Sequence, residues 1–112
     1  MVVPIEVAKA LGRAGEMRRG IDVSLPKRSI ESLTGTAARR YPDRITDTAI
    51  EEVKNRKTVY NSAQLRDYAM WAKRTSRDFD LIVRENTHVS RNLWKMAGEN
   101  RRFNILKLLP RR

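Results

Sequence analysis

The chain of 112 residues contains no cysteine and a single histidine. The first absence excludes a disulfide-stapled mini-protein and any cysteine-based zinc site, and the second excludes a histidine-rich metal centre. Long apolar runs are also missing: none approaches the ~20 residues that cross a bilayer, so no membrane span is expected. The opening residues Met1 to Glu6 carry no basic flank and are too short to be the apolar part of a signal peptide. Acidic residues are outnumbered, 13 against 24 Lys and Arg, which leaves a formal charge of +11. What remains is 40% apolar and 33% charged, with aliphatics spread along most of the length. That mixture suits one folded domain, residues 1–112, with a large solvated surface.

So much positive charge on a small body favours phosphate polyanions, anionic membranes or acidic proteins as partners. The basic residues recur as doublets: Arg18-Arg19, Lys27-Arg28, Arg39-Arg40, Arg56-Lys57, Lys73-Arg74, Arg101-Arg102 and Arg111-Arg112. Scattered doublets must be gathered into a face by folding, which points to a folded nucleic-acid surface. A basic surface serving only solubility is the rival reading.

Periodicity predicts a helix over residues 5–18, with Ile5, Ala8, Leu11 and Ala14 as an apolar stripe. Pro4 occupies a tolerated first-turn position, and Gly12 and Gly15 either permit close packing or fray the helix end. Residues 19–38 read as a long loop, because Ile21, Val23 and Leu25 alternate like a strand until Pro26 cuts the pattern short. A hairpin is expected over 39–55, with extended segments at 39–45 and 48–55 around Thr46-Asp47. A helix follows over 61–75 (Leu65, Tyr68, Ala69, Ala72), then an apolar strand over 79–84. A helix over 90–99 (Leu93, Met96, Ala97) and a strand over 103–109 complete the chain. This order predicts an α/β (α+β) fold, a small central mixed sheet flanked by helices.

The hairpin carries the residues best suited to chemistry: Pro42-Asp43, then after eight residues Glu52-Val53-Lys54. On a strand Glu52 and Lys54 share a face, and Asp43 on the preceding segment is close enough to join them. Two carboxylates and an ammonium on one face suit a hard divalent cation. The cation would polarise a phosphodiester while the lysine positions or deprotonates the nucleophile. The triplet alone proves little, since chance gives about 0.8 acid-x-Lys pairs in such a chain. An ordinary ion pair on a solvated strand would read the same.

On the following helix Gln64 and Tyr68 are four apart and share a face toward the site. Each also has a bland role: Asn61 and Gln64 resemble a capping box, and Tyr68 suits the core with its hydroxyl at the edge. Glu16, on the first helix, is also offered to the site, but an exposed helical glutamate is usually just solvated. His88 lacks a second histidine, and Ser24, Ser29 and Ser32 lack an adjacent base. Trp71 and Trp94 suit core packing better than base stacking.

Taken together, Pro42-Asp43, Glu52-Val53-Lys54 and Gln64-x-x-x-Tyr68 resemble the PD-(D/E)XK nuclease superfamily, which has the restriction-endonuclease fold. More closely, five segments are similar in order and spacing to the restriction-endonuclease-fold toxin domains that close bacterial polymorphic toxins. They are Gly12-Arg13-Ala14-Gly15-Glu16, Ser32-Leu33-Thr34-Gly35-Thr36-Ala37, Asp47-Thr48-Ala49-Ile50, Glu52-Val53-Lys54-Asn55 and Gln64-Leu65-Arg66-Asp67-Tyr68. Those toxins include contact-dependent inhibition and Rhs-type effectors, and the similarity runs from about Leu11 to Arg84.

The resemblance implies Asp43 and Glu52 as metal ligands, Lys54 as the catalytic lysine and Glu16 as the carboxylate completing the metal site. Gln64, with Tyr68, would orient the strand or a substrate phosphate. Asp47 rivals Asp43 while the hairpin register is open. Lys27, Arg28, Arg56 and Lys57 are expected to bind substrate. The implied protein is a nuclease toxin dependent on Mg2+ or Mn2+, delivered as part of a larger effector and acting in the cytoplasm of a target bacterium. An acidic immunity protein would neutralise it, which the positive charge suits. DNA is the favoured substrate because DNases dominate the superfamily, with tRNA as the alternative. A non-catalytic nucleic-acid-binding module and a basic protein docking an acidic partner are the competing classes.

Overall fold

The computed structural model describes residues 5–21 and 24–112. Along the chain, α1 (Ile5–Arg18) precedes β1 (Ile30–Glu31), β2 (Arg39–Arg40), β3 (Arg44–Ile45) and β4 (Ala49–Lys54). After β5 (Thr58–Val59) come α2 (Ala63–Arg74), β6 (Asp78–Arg84), β7 (His88–Val89), α3 (Arg91–Glu99) and β8 (Phe103–Leu109). Pro4 and Val23, which enter the expectations above, lie outside the described residues, as does the side chain of Ile5.

The central sheet has the order β3-β4-β6-β8, with β3 antiparallel to β4 and the other neighbours parallel. This is the mixed sheet flanked by helices that the element order predicts. Parallel strands need long crossovers, and α2 and α3 supply them between β4, β6 and β8. β6 lies in the middle and is apolar on both faces. Phe79, Leu81 and Val83 join Ile50, Leu65, Tyr68, Leu93 and Phe103 in the larger core. Ile82 joins Ile21, Val53 and Leu109 on the opposite side. Phe79 stacks on Phe103 with centroids 4.7 Å apart and meets Tyr68 edge-on at 5.8 Å.

Helix α1 packs differently from its expected stripe. Ala8 is exposed and Leu11 and Ala14 are only half-buried, whereas Gly15 is the buried position. A Cβ at Gly15 would stand 2.9 Å from Val53 Cγ1 and 3.0 Å from Asn55 Cβ, so the missing side chain is what lets the helix approach β4. Asn55 Nδ2 also donates to the Leu11 carbonyl at 2.6 Å, and Arg84 Nε donates to Asn55 Oδ1 at 2.8 Å. Asn55 thereby ties α1 to the ends of β4 and β6.

Two other segments depart from expectation. The stretch 19–38 is not wholly a loop: β1 pairs with β2, so Arg39-Arg40 leave the hairpin, whose paired part starts at Arg44. Buried Asp67 on α2 explains the change. It accepts from Ser32 Oγ at 2.7 Å, Thr34 N at 2.7 Å and Arg40 Nε at 2.8 Å, pinning the β1–β2 connection to the helix. The α2 N-cap is Ser62 rather than Asn61, its side chain accepting from Leu65 N. Gln64 is therefore not engaged in a capping box.

Candidate active site

Pairing of β3 with β4 ends at Arg44 opposite Glu51. The next residue outward is Asp43, preceded by Pro42, which has no amide hydrogen to extend the ladder. Asp43 instead turns its own side chain inward, and Oδ2 accepts from Val53 N at 2.7 Å. That bond resolves the hairpin register: Asp43 is the carboxylate beside Glu52, while Asp47 sits exposed in the turn.

Strand alternation sets the remaining positions. Glu51 points to one face, where it pairs with Arg19 at 3.0 Å and with Arg44. Glu52 and Lys54 point to the other. Lys54 Nζ lies 3.1 Å from Glu52 Oε2 and donates to Gln64 Oε1 at 2.8 Å. The second Glu52 oxygen, Oε1, is buried with no hydrogen-bond partner among the described residues. Burial, and next the charge of Asp43, push the Glu52 carboxyl up to about 8 against the pull of Lys54. Further positive charge beside Glu52 would favour its carboxylate form.

Glu16 approaches from α1. Its Oε1 accepts from Lys27 Nζ at 3.2 Å, and the same ammonium lies 2.5 Å from Asp43 Oδ1. Burial and the neighbouring Asp43 raise the Glu16 pKa, with Lys27 opposing. Burial lowers that of Lys27, but its bonds to Asp43 and Glu16 outweigh this and leave it raised. Glu16, Lys27, Asp43, Glu52, Lys54 and Gln64 line one cleft of about 590 Å³, together with Lys9, Arg13, Tyr41, Asn55 and Arg56.

Of the residues expected to bind substrate, Arg56 lines this cleft. Lys27 lines it too, but it is engaged with two carboxylates instead of being free for phosphate. Arg28 lines an adjoining hollow that shares Lys27 and Asp43 with the cleft, and Lys57 is exposed elsewhere. Tyr68 does not reach the surface at all: it is 0% exposed. Its hydroxyl has no hydrogen-bond partner among the described residues, and burial, then the charges of Glu52 and Asp43, raise its pKa. Tyr68 lies beneath the site, with no surface open to the cleft. Lys9 and Tyr41 carry no signal that sets them apart in the sequence, since only the fold brings them to the carboxylates, while Arg13 stands in the Gly12-Arg13-Ala14-Gly15-Glu16 segment.

Among the described residues, no group of three His, Cys, Asp or Glu side chains forms a ready metal-binding cluster. The donor set nonetheless suits a hard cation. Glu16, Asp43 and Glu52 offer oxygen only, Asp43 raises the pKa of both neighbours, and Glu52 Oε1 is an unpartnered buried acceptor.

No helix among the described residues is long and apolar enough to cross a membrane. Comparison with curated proteins and with solved structures returned no match. Comparison with protein families matched residues 12–93 to restriction endonuclease fold toxin 7, a polymorphic toxin nuclease domain. The match covers most of the chain and contains every residue named in the cleft except Lys9. The chain belongs to the restriction endonuclease fold toxin 7 family.

Proposed function

We propose that the chain is a metal-dependent endonuclease that hydrolyses phosphodiester bonds of nucleic acid, DNA in the first instance, in competing bacteria. Family membership implies a nuclease toxin, and the restriction endonuclease fold typically uses a divalent metal. The observation that carries the finer reading is the convergence of Glu16, Asp43, Glu52, Lys54 and Gln64 on one cleft.

Asp43, Glu52 and Glu16 would hold the cation, Mg2+ or Mn2+. When bound, such an ion polarises the scissile phosphate and stabilises the charge that develops on it. The chain's own groups do the rest. Lys54, oriented by Gln64, positions the attacking water and offsets negative charge beside it. The Val53 amide fixes Asp43, and Lys9, Arg13 and Arg56 draw the phosphate backbone into the cleft. The positive charge also suits an acidic immunity protein in the producing cell, with delivery as part of a larger effector.

The test is incubation of the purified chain with plasmid and with total tRNA, in Mg2+ or Mn2+ and in chelator. Cleavage is expected with metal only. Glu52→Ala and Lys54→Ala are expected to abolish it with an unchanged circular dichroism spectrum. Variants that still cut would show the site to be wrongly assigned, and preferential cutting of tRNA would replace DNA as the substrate.

A further inference from the structure

We propose that Lys27 is a displaceable internal counter-ion, whose ammonium stands between Glu16 and Asp43 where a divalent cation would be ligated and must be expelled for the cation to bind. The inference rests on the nuclease reading above and adds a residue that gates loading of the site.

Asp43 has one oxygen committed to the Val53 amide, so Oδ1 is the oxygen it can offer a ligand. Lys27 Nζ takes that oxygen at 2.5 Å and reaches Glu16 Oε1 at 3.2 Å. The ammonium thus bridges two acids from different parts of the chain, one on α1 and one beside β3. A dication at the same oxygens would stand within a few ångströms of it, where two positive charges repel strongly in a half-buried cleft. Both cannot stay.

Lys27 is also built to leave. Its side chain is 36% exposed, against 14% for Lys54, and it follows exposed Leu25 and Pro26 in a segment outside the strands and helices. A compact ammonium on a four-carbon stem swings into water without disturbing backbone pairing. Lys54 is held by Glu52 and Gln64 and remains in place. Once expelled, Lys27 is free at the cleft it lines, where it meets the substrate phosphate. Cation loading and phosphate capture are then one movement.

Calorimetric titration of Mn2+ into the wild type, Lys27→Met and Lys27→Arg tests this. Lys27→Met is expected to bind Mn2+ at least tenfold more tightly, while Lys27→Arg, which keeps the charge, stays near the wild type. Lys27→Met should also melt at a lower temperature in chelator and gain more from Mn2+ than the wild type does. Equal or weaker Mn2+ binding by Lys27→Met overturns the proposal, and if that variant does not fold, Lys27→Gln is held to the same outcomes. Wild-type cleavage in the same buffer separates the two readings. Cutting without tighter binding by Lys27→Met, or by Lys27→Gln in its place, overturns the counter-ion alone, whereas no cutting and no Mn2+ binding by any variant overturns both.

Discussion

Asp43 and Glu52 meet at the open end of the β3–β4 ladder, one position beyond the paired residues Arg44 and Glu51. Two carboxylates so placed repel each other unless a proton or a cation intervenes, and this repulsion adds to burial, the larger cause, in pushing the Glu52 carboxyl up. The same arrangement leaves Lys54 and Gln64 as the groups that order the site on its helix side.

Replacing Gln64 by leucine removes the acceptor that orients Lys54 and touches nothing in the cap of α2, which belongs to Ser62. Cleavage is expected to fall by about 10–100-fold, as for other residues that hold a catalytic group in place. The melting temperature should stay unchanged. Single-turnover plasmid cleavage alongside a thermal melt checks both halves.

Asp67 supplies a pH dependence of stability. Burial acts to raise its pKa, but the bonds from Arg40, Thr34 and Ser32 prevail and lower it from 3.8 to about 2. A depressed acid stabilises the fold above its unfolded value and loses that contribution as pH falls through the folded value. Stability from this residue is therefore complete above about pH 4 and disappears toward pH 2. Asp67→Asn is expected to cost about 2 kcal/mol at neutral pH and to flatten the acid limb. Urea unfolding measured from pH 7 to pH 2 shows whether it does.

Gly15→Ala tests the packing of α1. The added methyl meets Val53 and Asn55 at contact distances that demand a shift, and overpacking of this kind costs about 1–3 kcal/mol. Because Glu16 is the next residue, Mn2+ affinity should weaken together with stability. Tighter packing with unchanged unfolding would contradict the account of α1.

Nucleic-acid binding should separate Arg56 from Lys57. Only Arg56 lines the cleft. With Glu52→Ala as the background to prevent cleavage, Arg56→Ala is expected to reduce the salt dependence of binding by about one phosphate contact. Lys57→Ala should leave it unchanged, as read by fluorescence anisotropy across a salt series.

The longer elements were legible because their apolar periods extend over several residues: α2, α3, β6 and β8 all declare themselves. The two-residue strands β1, β5 and β7 were not, since two residues have no period and their pairing depends on distant partners. Arg39-Arg40 looked like hairpin because nothing local reveals that Asp67 holds Arg40 and the preceding loop on α2. Asn61 and Ser62 are both good caps, and only the backbone geometry chooses between them. In the cleft, period-two alternation placed Glu52 beside Lys54, but the choice of Asp43 over Asp47 waited on the hairpin register. The meeting of Lys27 with Glu16 and Asp43 joins three segments, and no spacing rule encodes it.

The amide clamp on Asp43 has one more consequence. With Oδ2 fastened to Val53, this acid is fixed at the length of a single methylene. A glutamate there would keep the charge yet carry its oxygens past both the backbone hydrogen and the ammonium beyond it. At this position reach, not sign, decides which acid will serve.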